Sequence, residues 1–266
     1  MKFIHTADIH WGMIPDSDKP WGKKREQAIR LTFQGIIEDA REVNYLFSTI
    51  PGTRVVIIAG NHDRIRKSSA LLSFTWAPNV TFLMDEDLSS VYFEELNTEV
   101  YGFSYHTAEI TEAKADNISL PASRRTRILM LHGGDAKHVP FDRNALAASP
   151  FSYIALGHIH KPEVLLENRM VYAGSPEPLD MTETGPHGYF VGEIDTASGH
   201  VTSLQFKEVC QAARAISIVS ASAACGILIS VLTWIFSPVS GISSRSWMNR
   251  NRSMISTHCS RNIRAT

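Results

Sequence analysis

The chain reads as an α/β protein. From residue 1 to about 200, short apolar runs of strand length alternate with helical periods, and polar clusters sit just beyond the carboxyl ends of several of those runs. Strands are expected over 2–6, 54–59, 80–84, 99–104, 127–131, 153–156, 169–173 and 189–195. A helix is expected over 23–46, where Ile29, Phe33, Ile36, Ile37 and Ala40 mark one apolar face. A shorter helix is expected over 68–74, and the polar, irregular stretch 107–125 reads as helix and loop. No internal repeat is visible.

Length and composition bound the problem. A chain of 266 residues can bury one large core plus something small. Its formal charge of -1 conceals an asymmetry. Residues 1–208 hold 20 basic and 27 acidic side chains, a net of -7, whereas the tail from Val209 has six arginines and no acid. All three cysteines, Cys210, Cys225 and Cys259, also lie in that tail. A cysteine-free body needs no disulfides and suits a reducing compartment, and the start of the chain lacks the apolar run of a signal peptide. The expectation is a cytoplasmic protein.

Four clusters carry the chemistry. Asp8-Ile9-His10 follows the first run, and Gly60-Asn61-His62-Asp63 follows the second. His132-Gly133-Gly134 and Gly157-His158-Ile159-His160 follow the runs at 127–131 and 153–156. In open α/β sheets ligands bind beyond the carboxyl ends of strands, so these loops are expected to converge on one edge. Carboxylate, amide oxygen and imidazole together suit a borderline divalent metal such as manganese, iron or zinc. Two such ions about 4 Å apart can clamp a phosphoryl group and activate a water for in-line attack. Each cluster alone also reads as a polar turn; their joint order does not.

That order, Asp-x-His, Gly-Asn-His-Asp, His-Gly-Gly and Gly-His-x-His, resembles the calcineurin-like metallophosphoesterase superfamily. The opening Phe3-Ile4-His5-Thr6-Ala7-Asp8-Ile9-His10-Trp11-Gly12 looks like the SbcD-type exonuclease subunits and their eukaryotic repair-nuclease relatives. Ala173-Gly174-Ser175-Pro176-Glu177 and Gly188-Tyr189-Phe190 add to the likeness. The resemblance implies a two-sheet sandwich flanked by helices (αββα) with metals at the strand ends. It implies Asp8, His10 and His160 as ligands of one metal and Asn61, His132 and His158 as ligands of the other. His62 would contact the scissile phosphate and protonate the leaving oxygen, with Asp63 orienting it. Two divalent ions, manganese first and iron or zinc next, are implied as cofactors. DNA, a coiled-coil ATPase subunit and a second copy of the chain are the implied partners.

One motif of the pattern is absent. The family carries a Gly-Asp at a strand end between the first two clusters, whose aspartate bridges the metals, and nothing in 11–60 matches it. Gly134-Asp135 is a Gly-Asp pair but stands downstream of His132. One strand-helix unit is thus expected to be missing, leaving a gap in the sheet. Without the shared carboxylate, repulsion between two close cations is less compensated. The expectation is at most one tightly held metal and severely impaired hydrolysis.

The organisation expected is an incomplete metallophosphoesterase domain over 1–208 and an atypical tail over 209–266. The tail matches neither the capping domain nor the ATPase-docking segment of the family. Its apolar segment 215–237 is long enough to cross a bilayer, so the tail reads as a membrane anchor or as aberrant sequence. Three functions stay open: a DNA nuclease subunit, a phosphoesterase for a small phosphoester or cyclic nucleotide, and a non-catalytic metal- or partner-binding protein. For DNA, Arg64, Arg66 and Lys67, or Arg124, Arg125 and Arg127, offer local basic patches on an acidic body.

Overall fold

A computed structural model describes residues 1–8, 48, 52–67, 69, 72, 75–178 and 182–208, and the backbone of 226–232. Twelve strands among these residues form two mixed six-stranded sheets. The first sheet contains β1 (Lys2–Ala7), β2 (Thr53–Ala59), β3 (Val80–Phe82), β10 (Gly188–Asp195), β11 (His200–Glu208) and β12 (Gly226–Leu232), in the order β11-β10-β1-β12-β2-β3. The second contains β4 (Ser89–Phe93), β5 (Thr98–Gly102), β6 (Thr126–His132), β7 (Tyr153–Gly157), β8 (Glu163–Leu166) and β9 (Met170–Tyr172), in the order β4-β5-β6-β7-β9-β8. In that second sheet β5, β6, β7 and β9 run parallel, and the edges β4 and β8 are antiparallel.

Alternation of side chains explains why the inner strands read as unbroken apolar runs. Ile128 and Met130 of β6 enter a cluster with Phe3, Ala7, Val56 and Ile58 of the first sheet. Leu129 and Leu131, pointing the other way, pack with Tyr105, Val139, Leu146 and Phe151 on the outer face. Both faces of β6 are therefore covered, as parallel strands require. Each such side chain contributes about 1.5–3 kcal/mol of burial. The helix α1 (Arg143–Ala148) brings Leu146 into the outer cluster. Its N-cap is Asp142, whose side chain accepts hydrogen bonds from the N–H groups of Asn144 and Ala145 at 2.7 and 2.9 Å.

Every expected strand is present, with ends shifted by up to two residues. The strands β4, β8, β11 and β12 were not anticipated. No helix forms within 107–125, which is loop and turn: its polar residues offer no continuous apolar stripe, and Ile110 and Ala115 are buried in the outer cluster while Ile118 and Leu120 pack against it. The helix expected over 23–46 lies outside the described residues; of 68–74 only Ser69 and Leu72 are described, Leu72 in helical conformation. The two-sheet core of the expected sandwich is thus observed, with few helices among the described residues.

β12 alters the expectation of a gap. It lies between β1 and β2, parallel to both, with Val231 opposite Ala7 and Leu232 opposite Ala59. A strand from the middle of the apolar stretch 215–237 thus completes the first sheet. The first compact unit accordingly runs Met1–Ile235; a second, Phe236–Thr266, lies outside the described residues. Among the described residues, no helix is long and apolar enough to cross a membrane.

Candidate metal centre

Strand ends from both sheets meet at one edge. Asp8 follows β1, Asn61 lies two residues after β2, His132 ends β6 and His158 follows β7. The backbone N–H of His158 donates to Asp8 Oδ2 at 2.7 Å, joining the sheets at that edge. Asp8 Oδ1 lies 3.9 Å from His132 Nδ1, and His132 Nε2 faces Asn61 Oδ1 at 2.9 Å. Asp8, Asn61 and His132 are buried. The rings of His132 and His158 stand 5.1 Å apart, centroid to centroid.

The backbone is bent into unusual conformations to achieve this. Asp8 and His158 have φ of 48° and 93°, and the β-branched Val139 has φ of 42°. Left-handed non-glycine residues of this kind cost about 1–3 kcal/mol each and concentrate at functional sites. Gly60 is required for contact rather than conformation: a Cβ there would lie 2.8 Å from Cε1 and Nε2 of His132. At Gly134, with φ of 125°, a Cβ would collide with the Tyr172 hydroxyl.

Around this core the remaining motif residues take varied places. His62 is exposed. Desolvation lowers its pKa from the ordinary value; Asp8 acts to raise it, and His158, His160 and His138 lower it further. Those electrostatic neighbours put His62 at the same edge. The Asp63 carboxylate accepts the Gly60 N–H at 2.6 Å, fixing the turn that carries Asn61. His160 Nδ1 pairs with Glu183 Oε1 at 2.6 Å, and its carbonyl accepts the Ser175 N–H at 2.9 Å. The Ala-Gly-Ser-Pro-Glu segment therefore supports the turn bearing His160. His10 lies outside the described residues.

Two residues not anticipated at the site complete it. Asp135 Oδ2 lies 2.7 Å from His158 Nε2 and 2.9 Å from His138 Nδ1. Ligand atoms of Asp135, His138 and His158 all fall within 4.8 Å of one another. Burial acts to raise the Asp135 carboxyl, but hydrogen bonds from His158, His138 and the Lys137 N–H outweigh it and hold it well below the usual carboxylate range. Chain order hid this: Gly134-Asp135 stands downstream of His132, and only the tight turn after β6 folds Asp135 back toward β7. The usable signal was a histidine three residues beyond an aspartate.

The basic patches separate. Arg64, Arg66 and Lys67 follow the Asn61 turn, and Arg64 Nη1 donates to Asn61 O at 3.2 Å. Arg124 and Arg125 precede the start of β6, the end opposite His132. Arg127 is buried and donates to the Pro121 carbonyl at 2.5 Å, so it is not part of a surface patch. Its place in the buried strand β6 takes it from solvent.

A carboxylate, an amide oxygen and several imidazoles meeting at one edge are a donor set that fits a borderline divalent ion. Comparison with known proteins agrees with that chemistry. The chain is similar to a metallophosphoesterase, YhaO of Bacillus subtilis, with 31% identity over 156 residues, 54% of this chain and 37% of the relative. It is also similar to Mre11 DNA double-strand break repair proteins of two archaea. With that of Methanocaldococcus jannaschii it shares 31% identity over 215 residues, 69% of this chain and 58% of the relative. With that of Methanopyrus kandleri it shares 22% over 279 residues, 84% of this chain and 60% of the relative. No protein-family model matches the chain. The chain thus resembles the calcineurin-like metallophosphoesterase superfamily, and within it the SbcD and Mre11 type. It spans between 37% and 60% of the length of these relatives.

Proposed function

We propose that this chain is a metal-dependent phosphodiesterase acting on DNA, slowed by the loss of the bridging aspartate. The observation that carries the reading is the convergence of Asp8, Asn61, His132 and His158 from four strand ends on one edge. Asp8, His10 and His160 are proposed to hold one ion, and Asn61, His132 and His158 the other. Bound there, a divalent ion supplies Lewis acidity toward a phosphoryl oxygen and lowers the pKa of a water.

The side chains do the remainder. His62, exposed beside Asp8, His158 and His160, is proposed to contact the scissile phosphate and hand a proton to the leaving oxygen. Its lowered pKa makes the protonated form a stronger acid. Asp63 acts through the turn, holding Gly60 and hence the backbone between Asn61 and His62. Arg64, Arg66 and Lys67 at the same edge offer charge to the DNA backbone.

The limit on activity comes from the first sheet. β12 reaches the site edge level with Ala7 and Ala59, but its sequence Gly-Ile-Leu-Ile-Ser-Val-Leu has no carboxylate. We therefore expect weak turnover and at most one tightly held ion in this ligand set. The same reading places the protein in the cytoplasm, manganese in its site and a coiled-coil ATPase at its side.

Linear duplex DNA and a chromogenic phosphodiester, each incubated with the full chain and manganese, test the proposal. Slow degradation of DNA from an end, lost in His62→Gln, is the expected result. Cleavage of the small ester alone would replace DNA with a small phosphoester. Turnover of neither substrate would leave a non-catalytic binding protein.

A further inference from the structure

The turn after β6 holds a ligand set that the motif pattern does not contain. Asp135, His138 and His158 converge from two segments: the first two flank Ala136-Lys137, and the third follows β7. Both histidines aim a ring nitrogen at one carboxylate, at 2.7 and 2.9 Å. Their side chains are 18% and 14% exposed and that of Asp135 is 46% exposed, so an ion can enter without unfolding the loop. The turn is closed by backbone bonds from Gly134 N to His138 O at 2.7 Å and from His138 N to Asp135 O at 3.2 Å. It is packed beneath by Val139, which is fully buried.

We propose that Asp135, His138 and His158 form a divalent transition-metal site of the two-histidine, one-carboxylate kind. Ligand atoms around an ion with bonds of about 2.0–2.1 Å stand roughly 3–4 Å apart, so the observed set needs only a small outward shift of the carboxylate. Two imidazoles and one carboxylate favour zinc, iron(II), cobalt or manganese over magnesium or calcium. Three protein ligands leave open positions for water or an anion.

This site shares His158 with the ligand set proposed above but needs neither Asn61 nor a bridging aspartate. An ion here would engage His158 Nε2 together with Asp135 and His138, in place of the Asn61–His132 pair. Asp135, dismissed by its order in the chain, thereby supplies a carboxylate to an edge whose intervening strand brings none. The inference does not rest on phosphodiester hydrolysis, since an ion can be held without turnover.

Cobalt(II) is the probe, because its visible spectrum reports coordination directly. The full chain is titrated with cobalt(II), and bound ions per chain are counted by elemental analysis, with no DNA present. A saturable visible band that weakens at least tenfold in affinity in both Asp135→Asn and His138→Gln, but persists in Asn61→Ala, is the expected result. No band in the unaltered chain, or a band abolished by Asn61→Ala and indifferent to Asp135→Asn and His138→Gln, overturns the site. Proton NMR of the unaltered protein avoids any folding defect of the variants: cobalt should shift or broaden the His138 ring signals, and unchanged signals overturn the site as well.

Discussion

The two sheets present the same edge to the site but are assembled in different ways. All strands of the second sheet come from one stretch of chain, Ser89 to Tyr172. The first sheet joins β1 to β10 and places β12, more than two hundred residues downstream, between β1 and β2. His132, Asp135, His138 and His158 are thus positioned by local chain, whereas Asp8 and Asn61 depend on closing long loops. Loop closure costs entropy before any contact is gained, so the first sheet is the more vulnerable half of the site.

Removing β12 should have the largest effect on the first sheet. Truncation after Glu208 leaves β1 and β2 without their shared neighbour, and we expect little soluble, cooperatively folding protein, judged by thermal unfolding. Within the full chain, Ile229→Pro removes ladder hydrogen bonds from a central strand and should produce a smaller loss of the same kind.

Next in size is the second sheet's own core. Leu131→Ala empties space beside Tyr105, Val139 and Leu156, and should cost about 2–5 kcal/mol in chemical denaturation. This variant should lower stability while the Asp135–His138–His158 arrangement survives in its folded fraction.

Gly60→Ala tests the junction between the sheets. Its Cβ would press on His132 from the first sheet's side. Manganese affinity at the Asn61–His132 set should fall roughly 10–100-fold, as for lost supporting contacts at other metal sites. Gly52→Ala, where a Cβ meets nothing within 4 Å, is the control.

A buried histidine in the first sheet gives a pH test. Burial lowers His5 to about 3, and its Nδ1 lies 3.0 Å from the Tyr153 hydroxyl. Folded His5 is neutral while the unfolded chain protonates near pH 6.5, so the unfolded state binds more protons between those values. Stability should be intact above pH 6.5 and decline as pH falls toward 3, by up to about 1.4 kcal/mol per pH unit from this group. His5→Gln should flatten that part of the curve.

The smallest effect belongs to the far end of the second sheet. Arg125 stacks 3.9 Å above the Tyr92 ring and reaches Glu99 at 3.4 Å. Being partly exposed, the group should be worth about 0.5–1 kcal/mol, and Arg125→Ala should leave metal binding unchanged.

The sequence by itself determined the strand-end clusters and their residue types. Asp8, Asn61, His132 and His158 were legible because each directly follows an apolar run, and a run of that kind in an α/β chain ends at a ligand-binding edge. The short edge strands β4 and β8 were not legible, since half-exposed residues such as Tyr92 and Val164 carry little periodic signal. Nor was β12, because an unbroken apolar stretch reads equally as a buried strand or a membrane helix. Only the tertiary structure decided that this stretch contributes a strand between β1 and β2, and that Asp135 turns back onto His158. Both depend on contacts between residues far apart in the chain or across a tight turn, where linear order does not report distance.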